Sequence, residues 1–148
     1  KSTFINIIAG KKAAQTGDKP GVTRGTQWIR LDADLELLDT PGILWPKFED
    51  EMVGFRLALS GAVSDEVFDQ DEVVLKLIAF LKERYPKQLQ ERFKLEEELL
   101  AAEPIEILEQ IGKNRGCLLK GGRIDYTKVS RGIMIDFRQA KIGRITLE

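Results

Sequence analysis

The chain has no histidine and a single cysteine, Cys117, among its 148 residues. Without histidine it lacks both the side chain that titrates near neutral pH and the commonest nitrogen ligand for metals. One cysteine excludes an internal disulfide and a cysteine-based zinc site. In the setting Arg115-Gly116-Cys117-Leu118-Leu119 it is expected as a small buried apolar residue. This usage fits a reducing, cytosolic compartment. No apolar run approaches the roughly 20 residues that span a bilayer, so neither a transmembrane helix nor a signal peptide is expected. Internal repeats and low-complexity tracts are also absent. With 32% charged residues the composition is that of a soluble chain, long enough for one domain or two small ones.

The net charge of −1 hides a division along the chain. Residues 1–64 carry eight acidic and eight basic side chains, whereas residues 65–109 carry thirteen acidic against six basic, net −7. Residues 110–147 then carry nine basic against two acidic, net +7. Such asymmetry marks either two segments that pair with each other or a surface for a polyanion.

Lys1-Ser2-Thr3, followed by the apolar run Phe4-Ile5-Asn6-Ile7-Ile8, reads as the end of a phosphate-binding loop running into its helix. The glycine-rich half of such a loop is not in the sequence. The chain is therefore expected to be a piece of a longer protein, its upstream strand and loop outside it. The helix covers residues 2–10 and stops at Gly10. Residues 11–25 have no apolar period and several turn residues, which predicts a loop. Residues 26–31 and 35–39 are two β-rich runs around Asp32-Ala33-Asp34, a hairpin whose second strand ends at Asp39. Ligand loops in open α/β sheets follow the carboxyl ends of strands, which is where Asp39-Thr40-Pro41-Gly42 falls.

Beyond the apolar loop Ile43-Leu44-Trp45-Pro46 the period turns helical. A helix is predicted over residues 50–62 and another from Asp71, with Val73, Val74, Leu77, Ile78 and Leu81 on one face. Tyr85-Pro86 breaks it. Pro104 suits the first turn of a helix carrying Ile105, Leu108 and Ile111, and Gly116, Gly121 and Gly122 punctuate a loop. A last helix from about Asp125 presents Tyr126, Val129, Ile133 and Phe137, followed by an extended end over 142–147. Strand patterns stop between Val63 and Asp71, which sets the expected domains at 1–64 and 65–148. The fold class is α/β: part of a phosphate-loop domain, built from a helix and a β-hairpin, followed by an all-helical domain.

Phosphate loops work because backbone N–H groups at a helix N-terminus, a lysine and a hydroxyl-bound Mg²⁺ together neutralise the β and γ phosphates. Lys1 would reach the phosphates, Ser2 would bind the metal and Thr3 completes the motif. Asp39 would approach Mg²⁺ through water, and Gly42 would offer an N–H to the γ-phosphate. Between them, Pro20-Gly21-Val22-Thr23-Arg24-Gly25 places Thr23 in a loop able to close on Mg²⁺. Taken singly, Lys-Ser-Thr is common by chance and Asp39-Thr40-Pro41-Gly42 can be plain turn chemistry. Three elements in this order make a stronger joint signal.

These three stretches resemble the first, second and third motifs of translation-factor-class GTPases. In that resemblance Lys1, Ser2, Thr3 and Gly42 contact nucleotide, Ser2, Thr23 and Asp39 serve Mg²⁺, and Pro20, Gly21, Thr23, Thr40, Pro41 and Ile43 belong to the switches. The guanine-reading Asn-Lys-x-Asp does not follow: the one asparagine after Gly42 is Asn114, in Asn114-Arg115-Gly116. That order is similar to the circularly permuted GTPases, and the sequence from Gly42 onward resembles the bacterial ribosome biogenesis GTPase A type. The resemblance implies guanine-reading motifs upstream, GTP and GDP as ligands, and a helical C-terminal domain that binds rRNA of the large ribosomal subunit. With the cysteine usage and the absence of long apolar runs, a cytoplasmic protein without membrane attachment is expected, and a monomer. Ras-type enzymes carry a glutamine after the third-motif glycine; Ile43, which stands there, can equally be a packing residue. It cannot orient water, so no catalytic residue is assigned.

Lys113, Arg115, Lys120, Arg123, Lys128 and Arg131 are the candidate RNA contacts, with Arg138, Lys141 and Arg144 extending the basic tail. Their competing role is pairing with the acidic segment. Two further readings stay open: a nucleotide-independent helical module that binds RNA or protein, and a phosphate-loop ATPase.

Overall fold

The computed structural model describes residues 2–17, 25–42 and 50–147. They fall into two compact units, Lys1–Asp50 and Glu51–Glu148.

In the first unit, helix α1 (Ser2–Ala9) stops at Gly10, whose φ of +61° suits a residue without Cβ. Asn6 then folds the chain back. Its Oδ1 accepts from the backbone N–H of Ala13 at 2.9 Å and of Ala14 at 2.7 Å, while its Nδ2 donates to the Ala14 carbonyl. Strands β1 (Gln27–Asp32) and β2 (Leu35–Asp39) form an antiparallel hairpin around Ala33 and Asp34. The pairing is irregular between Arg30 and Asp32, so Trp28 faces Leu38 and Gln27 faces Asp39. Ile5, Ala14 and Ile29 form the buried centre, flanked by Ala9, Ala13, Leu31 and Leu37. Phe4, Ile7 and Trp28 are 63%, 73% and 67% exposed.

The second unit is helical: α2 (Glu51–Ser60), α3 (Gln70–Arg84), α4 (Pro86–Phe93), α5 (Pro104–Asn114) and α6 (Tyr126–Arg138). Local chemistry sets each end. Asp69 caps α3 by accepting from the N–H groups of Asp71 and Glu72. Tyr85 ends α3 and Pro86 opens α4, so the predicted break is one residue wide. A 3₁₀ turn, Glu97–Ala101, follows, with Lys82 donating to the Ala102 carbonyl at 2.7 Å. Glu103 and Glu106 form a capping box for α5, and Asp125 caps α6.

Val74, Leu77, Ile78, Leu81, Leu89, Ile107, Leu108, Ile111, Val129 and Ile133 are fully buried. Each contributes about 1.5–3 kcal/mol by leaving water. Residues 142–147 join no sheet. Ile142 is buried, and the Tyr85 hydroxyl donates to the Thr146 carbonyl and accepts from its N–H, which straps the segment onto the bundle.

The boundary lies earlier than the sequence predicts. Phe55, Ala58 and Leu59 bury their side chains in the helical core, and α2 packs on α3 and α6. The helix expected to end the first domain therefore belongs to the second unit. Among the described residues, no helix is long and apolar enough to cross a membrane.

Candidate functional site

The candidate phosphate half-site residues lie on α1 and at the end of β2. Ser2 opens α1 and is half-buried, with Thr3 exposed beside it. The N-terminal N–H groups of a helix carry a partial positive charge suited to phosphate. Asp39 ends β2 and is only 1% exposed. Its Oδ2 accepts from Nε2 of Gln27, its cross-strand partner, at 3.2 Å. Thr40 is exposed and Pro41 half-buried. Gly42 is exposed, and a Cβ added there would meet no described atom within 4 Å. Among the described residues neither packing nor a positive φ requires glycine at 42. Lys1, Pro20, Gly21, Thr23 and Ile43 lie outside the described residues.

Among the described residues there is no group of three or more His, Cys, Asp or Glu side chains able to hold a metal. A phosphate-loop Mg²⁺ does not need one, because phosphate and water oxygens fill most of its shell. The hydroxyl of Ser2 and the carboxylate of Asp39 are hard oxygen donors of the kind Mg²⁺ takes.

The candidate basic residues lie at the end of α5, in the following loop and on α6. Lys113, Lys120, Arg123, Lys128 and Arg131 are exposed, and among the described residues none enters a salt bridge. Arg115 stands apart from the other candidates. Its guanidinium binds the Asp136 carboxylate and lies 4.8 Å from the centre of the Phe93 ring. Arg92 holds the other side of Asp136, at 2.9 Å and 3.2 Å. Arg115 is thus a fastener joining α4, α5 and α6. Burial of Asp136 opposes its ionisation, but hydrogen bonds from Arg92 and Arg115 outweigh that, and the carboxyl is held below its usual range.

Arg138 makes a second fastener. It donates to Asp65 at 2.6 Å and 3.1 Å and to the carbonyls of Ala58 and Leu59 at 2.9 Å and 3.2 Å. These are carbonyls of the last turns of α2, which has no basic residue of its own there. The Arg138 hydrogen bond lowers the Asp65 pKa, burial works against this and the charge of Arg138 adds to it. Among the described residues Arg138 is the one residue of the basic tail in a salt bridge with the acidic segment, and the charge of Arg131 adds to the lowering of the Asp65 pKa from a greater distance. The opposed blocks of charge are therefore not matched pair by pair. Gln27 and Asp136 carry no motif, so sequence reasoning missed them, whereas Arg138 is legible only as one more cation of the basic tail that can pair with the acidic segment.

The family profile described as "50S ribosome-binding GTPase" matches residues 1–110. Ribosome biogenesis GTPase A of Bacillus cereus is 48% identical over 148 residues, covering 100% of this chain and 49% of that protein. The solved structure of GDP-bound TM YlqF superposes with a TM-score of 0.63 at 27% identity, covering 100% of this chain and 55% of that one. GNP-bound YlqF from T. maritima gives 0.60 at 28%, covering 100% and 54%. The chain spans about half the length of the relatives it matches.

Proposed function

The chain belongs to the 50S ribosome-binding GTPase family, and on that premise we propose that the protein it forms part of binds and hydrolyses GTP as an assembly factor for the large ribosomal subunit. The carrying observation is that the family match runs through both Lys1-Ser2-Thr3 and Asp39-Thr40-Pro41-Gly42, with Asp39 buried at the end of β2. In this reading Lys1, Ser2, Thr3 and Gly42 bind the phosphates. Ser2 and Thr23, with Asp39 through water, would hold Mg²⁺, which would neutralise charge on the β and γ phosphates. Gln27 positions Asp39 by donating to its Oδ2. Pro20, Gly21, Thr23, Thr40, Pro41 and Ile43 respond to the γ-phosphate. The exposed apolar side chains of Phe4, Ile7 and Trp28 supply a surface for the remainder of a GTPase domain. Lys113, Lys120, Arg123, Lys128 and Arg131 contact rRNA, and the protein works in the cytoplasm.

Ile43 has no hydrogen-bonding side chain to orient water. The catalytic group then comes from another part of the protein or from the ribosome, and turnover is slow until the subunit docks. The test is nucleotide hydrolysis by the complete protein, GTP against ATP, with and without large subunits. Preference for GTP and stimulation by the subunit are expected; absence of both overturns the reading. Ile43→Gln should leave the slow turnover of the free protein unchanged, and a large gain would place the missing group at residue 43.

A further inference from the structure

The loop between α5 and α6 is tightly held for a segment so rich in glycine. Cys117 donates to the Gly112 carbonyl, Leu119 to that of Arg123, Gly122 to that of Leu119 and Asp125 to that of Cys117, all between 2.8 and 3.1 Å. Gly121 and Gly122 take φ of +87° and +78°, which turn the chain without a Cβ in the way. This ordered loop nevertheless leaves Leu118 and Leu119 45% and 48% exposed. Beside it lies a cleft of about 490 Å³ lined by Glu109, Leu119, Gly122, Arg123, Ile124 and Tyr126.

We propose that this cleft takes one unpaired nucleotide of RNA, a guanosine in preference, with the base against Leu119, Ile124 and Tyr126. The proposal rests on the reading that the helical unit contacts RNA and adds where and how. Apolar and aromatic walls suit the face of a base. The polar groups are divided in the way a nucleotide needs. Arg123 offers a cation to the phosphate, with exposed Lys120 and Lys128 nearby in the chain. Glu109 does the opposite job. A carboxylate among cations repels a phosphate but accepts the N–H donors of a base edge, and guanine presents two adjacent ones. The Tyr126 hydroxyl donates to Glu109 Oε1 at 2.6 Å and fixes the carboxylate in the cleft wall. Single-stranded bases splayed from loops and bulges are the usual targets of sequence-reading RNA proteins.

The test uses the complete protein and three hairpin RNAs alike except at one position: a bulged guanosine, a bulged uridine, or full pairing. Binding is followed by fluorescence anisotropy over a range of salt. The bulged guanosine should bind at least about tenfold more tightly than the paired RNA, with uridine between. Leu119→Gln and Tyr126→Ala should abolish the preference while leaving the salt dependence in place. Both side chains are partly exposed, so the fold tolerates the changes. Glu109→Gln should remove the advantage of guanosine over uridine. Equal, salt-dependent binding of all three RNAs overturns the nucleotide cleft and leaves the cationic face standing. If Leu119→Gln then weakens binding to intact large subunits, the occupant is a ribosomal protein. Failure of every RNA to bind in a salt-dependent way overturns both the cleft and the RNA reading beneath it.

Discussion

The two units differ most in what holds them together. Among the described residues the first has three buried apolar side chains, Ile5, Ala14 and Ile29, around one helix and one hairpin. The helical unit has nineteen, drawn from every one of its five α-helices. A two-stranded hairpin is marginal alone and needs further strands or helices on it. A helical bundle with a continuous core supplies its own stability. The helical unit is thus a self-supporting platform, whereas the first unit has chemistry-bearing residues on a scaffold that leaves Phe4, Ile7 and Trp28 in water. Stability and the proposed nucleotide chemistry are placed in different parts of the chain.

The sharpest way to break this contrast is a matched pair of core truncations in the 148-residue chain. Leu77→Ala should cost the helical unit about 3–4 kcal/mol, read as a shift in its urea unfolding midpoint. Ile29→Ala should leave that same transition in place. If both shift it equally, the units do not unfold separately.

Asp136→Ala comes next. It strands two guanidinium groups partly inside the bundle and should cost about 3 kcal/mol. The pH dependence follows from the lowered Asp136 pKa. A carboxylate with a depressed folded pKa contributes fully above about pH 4, the unfolded value, and loses that contribution as pH falls through the folded value. Acid should therefore destabilise the helical unit. The Asp136→Ala protein should lose less between neutral pH and pH 3, and an unchanged acid profile would remove Asp136 from the explanation.

Arg138→Ala should have a smaller, local effect of about 1–2 kcal/mol. Hydrogen exchange of the α2 amides should quicken more than that of α5, because Arg138 holds the Ala58 and Leu59 carbonyls. Uniform quickening would mean that α2 opens only with the whole unit. At the bottom of the scale, Lys76→Ala removes exposed pairs with Glu72 and Glu51. No measurable change in the urea midpoint is expected.

Much of the helical unit is legible because its signals are local. The apolar stripe of α3, the break at Tyr85-Pro86, the proline opening of α5 and the start of α6 at Asp125 act within a few residues. The position of α2 is not legible. Its mean pattern fits a helix, but its partners lie far along the chain, and only packing shows that Phe55, Ala58 and Leu59 join α3 and α6. In the phosphate half-site the motif residues Ser2, Asp39 and Gly42 are visible in order. Gln27 is hidden, since a plain two-residue turn at Ala33-Asp34 pairs Trp28 with Asp39; the irregularity between Arg30 and Asp32 slips the register by one. The cations were countable, but counting could not separate Arg115 from the rest.

The sequence by itself determined where most of the helices and the hairpin lie, which residues are candidates to meet phosphate, and that charge is split between two blocks. Periodicity, capping and short motifs are read from neighbours in the chain, and neighbours suffice for those. Tertiary structure decided which residues serve those motifs from a distance: Gln27 on Asp39, Arg92 and Arg115 on Asp136, Arg138 on the end of α2. Burial makes these partnerships matter, because a charge or carbonyl withdrawn from water must find its partner within the fold. Such partners can come from anywhere in the chain that the core brings close.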